Sequence, residues 1–285
     1  MKPAAFEYCR PESVDEAVAL LAELGGDANV LAGGMSLGAM LNMRLARPAA
    51  LIDIKRIAGL DAVSVEGEVR IGATLSQARA LEHGALLQAL PLLGLALPWV
   101  GHFQTRNRGT LCGSVAHADP SAETPLVLTT LGGAVELRSA TGTRRVPADE
   151  FFVDVMTTSR APDEMITALV LPATPPGTRC AFEELAQRHG DFAIVACAAA
   201  ASVDARGMLA SLSLGLGGVE SRPRVADTQA FIGERADAAL AQAIADAAAR
   251  AVDPLTDHKA SAAYRRALVS NLGARVLRRA FGVDA

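Results

Sequence analysis

The sequence has no block of like charge, no long uninterrupted apolar stretch and few aromatic residues, and each lack removes a class of protein. Its 27 Lys and Arg are scattered among 31 Asp and Glu, for a net charge of −4. Without a basic block, neither nucleic acid nor an anionic membrane is an expected partner. The most apolar stretch, residues 85–100, is interrupted by Pro91, Gly94 and Pro98 and is too short to span a bilayer. The opening residues 1–8 lack the apolar core of a signal peptide. Aromatics make up only 4% of a chain of 285 residues that is 51% hydrophobic and 20% charged, so a well-buried globular core must be built from aliphatic side chains and alanine.

Cysteine is also sparse. Cys9, Cys112, Cys180 and Cys197 show no C-x-x-C spacing and no accompanying His cluster, which speaks against a zinc site or an iron–sulfur cluster within the chain. Their wide spacing reads as reduced thiols of a cytoplasmic protein. There is no G-x-G-x-x-G fingerprint and no P-loop. No Ser/His/Asp order, metal set or lysine nucleophile stands out either. The chain is therefore expected to hold a large cofactor that does the chemistry, rather than to make or break bonds with its own side chains.

Two glycine-bearing segments are candidates for holding it. Ala32-Gly33-Gly34-Met35-Ser36 follows the apolar Val30-Leu31. Adjacent glycines at a strand end permit a sharp turn with uncovered N–H groups, a concave anion site, and Ser36 adds a hydroxyl. Arg108-Gly109-Thr110-Leu111-Cys112-Gly113-Ser114 reads as a second turn of the same kind. Two such turns suggest a phosphate-bearing ligand gripped from two sides; most Gly-Gly pairs, however, are plain turns. His117, Asp119 and Glu123 come next. They admit an acid–base or metal reading, a plain helix start with Asp119 as N-cap and Pro120 at the first position, or a helix that aims Glu123 at ligand hydroxyls. Arg106, Arg108 and His102 either offset phosphate charge, contact a partner or belong to a solvated loop. Asp191 is expected to bond backbone N–H groups in a turn.

Around these segments the pattern reads as α+β. Ser13 with Glu16 forms a capping box for a helix ended by Gly25-Gly26. Residues 63–65 and 69–73 form a hairpin, with helices following from Ser76 and from Leu86 to Leu97. Residues 126–131 are helical, and 134–138 and 164–171 are strands. After the linker 174–177, an antiparallel meander over 181–185, 194–203 and 208–216 precedes helices over 225–232, 237–251 and 259–280.

These residues resemble a family: the flavoprotein (medium) subunits of the molybdenum hydroxylases, which include carbon monoxide and xanthine dehydrogenases. Ala32-Gly33-Gly34-Met35-Ser36 is similar to A-G-G-x-S, and Thr110-Leu111-Cys112-Gly113-Ser114 to T-[IL]-G-G-[NS]. Asp119-Pro120 with Glu123 is similar to D-P-x-x-[DE], and Phe6-Glu7-Tyr8, Gly190-Asp191-Phe192-Ala193 and Ser261–Arg266 also match in order. The resemblance implies a two-lobed FAD-binding domain of the vanillyl-alcohol-oxidase (PCMH) type, with lobes 1–56 and 57–173. An α+β C-terminal domain, 178–285, would follow, with a three-stranded antiparallel sheet and helices.

It further implies that FAD is held by Ala32, Gly33, Gly34, Met35, Ser36 and Leu37 and by Thr110, Leu111, Cys112, Gly113 and Ser114. His117, Asp119 and Glu123 would join them, Glu123 at the ribityl or adenosine portion, with Ile166 and Phe192 near the isoalloxazine. A large subunit would carry the molybdenum cofactor and a small one two [2Fe–2S] clusters, in a dimer of heterotrimers, with electrons reaching FAD and then an external acceptor. Two departures stand out. Cys112 replaces the usual Gly, so its side chain must point away from the pyrophosphate or the turn must differ, and it is a candidate for oxidation near the flavin. Met35 replaces a more polar residue. The absence of a cysteine-bearing insertion disfavours a [4Fe–4S]-carrying variant. A stand-alone FAD oxidase of the same fold and a non-catalytic nucleotide-binding assembly protein are the alternatives.

Overall fold

The computed structural model describes residues 2–283 and contains three main sheets, each with its own helices, and a two-stranded hairpin. The first is small and parallel. Strand β1 (Glu7–Cys9), helix α1 (Val14–Leu24), strand β2 (Ala28–Leu31), helix α2 (Met35–Asn42) and strand β3 (Ala50–Asp53) give the order β1-β3-β2. Parallel neighbours need crossover connections, which the two helices supply. Ser13 Oγ accepts the Glu16 N–H, as expected of an N-cap. Glu16, however, takes the N–H of Glu12 and not that of Ser13, so the box is not reciprocal. Central β3 is buried at every position.

The second sheet is antiparallel and five-stranded. It begins with the hairpin β4 (Val63–Glu66) and β5 (Glu68–Gly72), turned by Gly67 at φ +74°. Six short helices follow: α3 (Gln77–Glu82), α4 (Gly84–Ala89), α5 (Pro91–Ala96), α6 (Phe103–Arg108), α7 (Leu111–His117) and α8 (Glu123–Thr130). The single helix expected over 86–97 is thus two helices and a 3₁₀ turn. Pro91 disfavours a helical Leu90 before it and starts α5, and Pro98 falls in the terminal turn. The chain returns through β6 (Ala134–Ser139), β7 (Gly142–Pro147), α9 (Ala148–Phe151) and the small hairpin β8 (Phe152–Asp154) and β9 (Thr157–Thr158). It then enters β10 (Met165–Pro172), the middle strand, buried at all positions but Pro172.

The third sheet is a meander of β11 (Arg179–Leu185), β12 (Val195–Val203), β13 (Leu209–Gly217) and β14 (Arg224–Val225). It therefore has four strands where three are expected. Residues 225–232 are not a helix: the Ala226 N–H bonds Leu214 O and the Thr228 hydroxyl bonds Leu212 O, drawing this short segment onto β13, with one 3₁₀ turn at Gln229–Phe231. Helices α10 (Ala238–Ala251) and α11 (Ala262–Phe281), capped by Asp237 and Ser261, cover one face. Val195, Cys197, Ala199 and Ala201 of β12 face these helices, while Ala196 and Ala198 join the core of the rest of the molecule. The small side chains let helices close on both faces of the sheet. Wholly buried α8 lies between the two cores, where Gly215 makes room for Thr130 and Gly217 for Leu126.

Candidate functional site

The first glycine segment is a strand-to-helix junction. Gly34 adopts φ +70°, which glycine tolerates best, and serves as the N-cap of α2. The first bond of that helix runs from the Gly38 N–H to Gly34 O, so the N–H groups of Met35, Ser36 and Leu37 precede the helical ladder. These are donors of the kind that bind anions at helix N-termini. Gly33 has a different task. A Cβ there would collide with Arg108 O and come within 2.9 Å of Gly109 Cα. The two glycine segments, some 75 residues apart in sequence, pack backbone to backbone.

The second segment is a helix start and not a second turn. Thr110 caps α7, its Oγ1 accepting the Gly113 N–H at 2.9 Å and its carbonyl the Ser114 N–H at 3.1 Å. The Leu111 N–H goes to Leu75 O, and the Gln77 N–H to Gly109 O. This leaves the Cys112 N–H outside the local bonds. The Cys112 side chain is buried, with Sγ 3.7 Å from Ile71 O, on the core side of the helix. Burial pushes its thiol up to about 12. A buried, protonated thiol is a poor target for oxidation, so the expected redox sensitivity has no support in this geometry.

After α7 the chain bends at Ala118, φ +53°. Asp119 is not an N-cap: its carboxylate accepts the Ser121 N–H at 2.8 Å and its carbonyl the Ala122 N–H, and α8 begins at Glu123 with Ala122 as N-cap. An Asx turn competes with the cap role and wins here because Pro120, Ser121 and Ala122 still precede the helix. His117 is half-buried in the last turn of α7. Glu123 is 7% exposed, and burial raises its carboxyl to about 7, with the Asp119 charge adding to the rise.

Sequence reasoning missed Glu184. It lies on β11, 5% exposed, and neither carboxylate oxygen has a hydrogen-bond partner among the described residues. Burial raises it to about 8, with the Glu123 charge adding to the effect. The signal was present: two consecutive acidic residues in an apolar strand must point to opposite faces. Glu183 points to α11 and is paired with Arg275 and Arg279. Glu184 points the other way.

The remaining expected positions are more dispersed. Ile166 is buried on β10, opposite Leu137 and beside a bulge, in the strand against which α7 packs. Phe192 is half exposed in the β11–β12 loop, with Lys259 Nζ 5.6 Å from its ring centroid. No hydrogen bond or ring contact among the described residues ties either of them to the glycine segments. Asp191 accepts from the Arg188 guanidinium at 3.0 Å, and not from backbone N–H groups as expected. Arg106 is spent on Val100 O and Gly101 O, so it is a structural clamp and not a free cation for a ligand or partner.

The model of the FAD-binding domain in molybdopterin dehydrogenases matches residues 4–174. The chain belongs to this family. A second family, the C-terminal domain of carbon monoxide dehydrogenase flavoproteins, matches residues 180–280. The chain is 36% identical to 6-hydroxypseudooxynicotine dehydrogenase complex subunit alpha of Paenarthrobacter nicotinovorans, covering 98% of this chain and 96% of that one. It is 34% identical to the carbon monoxide dehydrogenase medium chain of Hydrogenophaga pseudoflava, covering 99% of each. The fold superposes with a TM-score of 0.95, at 35% identity and full coverage of both chains, on a solved structure of that organism's carbon monoxide dehydrogenase lacking the Mo-pyranopterin moiety of the molybdenum cofactor. The chain is thus an oxidoreductase subunit, the FAD-binding medium subunit of a molybdenum hydroxylase-type complex. No helix among the described residues is long and apolar enough to cross a membrane.

Proposed function

We propose that this subunit is the electron outlet of its complex, taking electrons from a small subunit with two [2Fe–2S] clusters and passing them to an external acceptor. The substrate is oxidised on a large subunit at the molybdenum cofactor, and the assembly is a cytoplasmic dimer of heterotrimers. The single observation that carries the reading is the meeting of two remote segments at Gly33 and Arg108–Gly109. The free N–H groups of Met35, Ser36 and Leu37 lie at one side of that contact and the start of α7 at the other. The two relatives above are named for unlike substrates, which supports placing substrate choice on another subunit.

The residues suit FAD. Ala32 to Leu37 and Thr110 to Ser114 would hold the pyrophosphate, the former with backbone donors and the Ser36 hydroxyl. Glu123, buried at the start of α8, would accept from the ribityl or adenosine hydroxyls, with His117 and Asp119 bordering it. Ile166 and Phe192 would flank the isoalloxazine. Bound FAD supplies the capacity to take and release electrons one or two at a time. The protein's part is to bind it, orient it and exclude water. In this reading residues 1–56 and 57–173 are the two lobes of the FAD domain and 178–285 the C-terminal domain.

An absorption spectrum of the purified chain before and after adding FAD, followed by acid release, tests the proposal. The expected result is about one releasable FAD per chain, with molybdenum and iron co-purifying when the partner subunits are co-expressed. A chain that takes up no flavin after reconstitution overturns it.

A further inference from the structure

The β-sheet register brings Glu184 to the start of α8. Glu184 pairs with Ala196 and Ala196 with Gly217, three residues in one row on one face of the third sheet. A Cβ on Gly217 would lie 3.1 Å from Leu126 and 3.5 Å from Pro120 O, and the Gly218 N–H bonds Pro120 O at 2.7 Å. The row therefore looks directly onto the segment Pro120–Leu126, which contains Glu123. We propose that Glu184 and Glu123 form one carboxyl pair that takes hydroxyl donors of bound FAD from two sides, and that FAD retention depends on how many protons this pair carries. This rests on the FAD reading above.

The surroundings leave the pair without a cation. Helix α5 and strands β12 and β13, all packed on this region, contain no Lys or Arg. Arg224 of β14 is held by Glu220 at 2.9 Å, Arg265 of α11 by Asp257 at 2.8 Å and by the Ile194 and Gly218 carbonyls, and Arg275 and Arg279 of α11 are spent on Glu183 at the opposite face. Helix α7 contributes His117, the bend Asp119, and α9 the exposed Asp149 and Glu150. A buried carboxylate with neither a cation nor a donor is costly. Polyol hydroxyls supply donors, and one shared proton removes the repulsion between the two groups. FAD brings its own pyrophosphate charge, so the bound state favours the singly charged pair. Binding therefore keeps or takes up a proton, and affinity falls as pH rises through the upper carboxyl.

FAD is titrated into the apo full-length chain at about pH 7 and about pH 9, followed by flavin fluorescence, with circular dichroism melts to establish folding. The wild-type Kd is expected to rise about tenfold over this range, one proton's worth of linkage. Glu184→Gln, which keeps the shape, should flatten the rise, and Glu184→Ala should weaken binding at both pH values. A Glu184→Gln chain with the wild-type pH profile overturns the pair, and the Gln variant alone decides the matter if the Ala variant does not fold. A wild-type chain that binds no FAD at either pH overturns the FAD reading itself, whereas normal wild-type binding with unresponsive variants overturns only the pair.

Discussion

Gly33 shows how one residue's role changes between sequence and structure. In the sequence it is a glycine that would let a phosphate approach the backbone. In the fold its missing side chain is filled by Arg108 O, and the N–H groups left outside the helical ladder belong to Met35, Ser36 and Leu37. Gly33→Val should therefore act twice. Separating two backbones that touch should cost about 1–3 kcal/mol of stability, the usual range for overpacking. FAD stoichiometry should fall well below that of wild type even when the variant is folded. Urea melts read the first effect and acid-released flavin the second; full flavin content in a folded Gly33→Val chain would break the link between the turn contact and the cofactor. Cys112 turns into the core beside Ile71. Its burial, not its type, decides its reactivity.

At the scale of elements, local signals were read well where the bonding partners are a few residues apart. Ser13, Ser76 and Asp237, where helices are expected to start, each accept from the N–H three residues on, as N-caps do; Ser261 does the same, two residues inside the start expected at 259. Asp119 carries a similar signature but makes an Asx turn, because local side-chain bonds to the backbone offer several competing endings. Helix α8 and strand β11 bring together the two carboxyls that no local signal joined. Their pH behaviour follows by linkage. Both folded values, about 7 for Glu123 and about 8 for Glu184, are raised above the unfolded ones. The stabilising contribution is thus fully present below the unfolded values and is lost as pH rises through the folded ones. The FAD-free chain should lose on the order of a few kcal/mol between about pH 6 and about pH 9, and Glu184→Gln should lose less. Urea midpoints at the two pH values measure this; equal wild-type midpoints would show that the carboxyls are not held protonated by burial.

Across the whole molecule, Arg265 is the tie that the sequence marked only as part of a shared motif. It is 3% exposed on α11 and donates to Ile194 O, to Gly218 O at 2.6 Å and to Asp257 at 2.8 Å. Gly218 in turn bonds Pro120 O. The C-terminal helix is thereby connected through the third sheet to the segment that starts α8. Arg265→Ala leaves two buried carbonyls without this donor and should cost about 2–4 kcal/mol. Arg265→Lys should not restore it, since a point charge cannot reproduce a planar fork across separated acceptors. A thermal melt of the full chain checks both variants, and an unshifted Tm for Arg265→Ala would remove this tie from the account.

The sequence by itself determined the α+β class, most element positions and, through motifs kept in order along nearly its whole length, the family. Those features depend on capping, hydrophobic period and turn chemistry within a few residues, where the chain carries its own instructions. Tertiary structure decided the rest. Only the packed fold sets Gly33 against Arg108, places β10 between β5 and β6, draws Arg224–Val225 onto β13 as a fourth strand, and puts Glu184 on the face of the third sheet that looks toward α8. Each of these depends on strand register or on contact between segments far apart in the chain. No local preference encodes such a contact, because its energy exists only once both partners are in place.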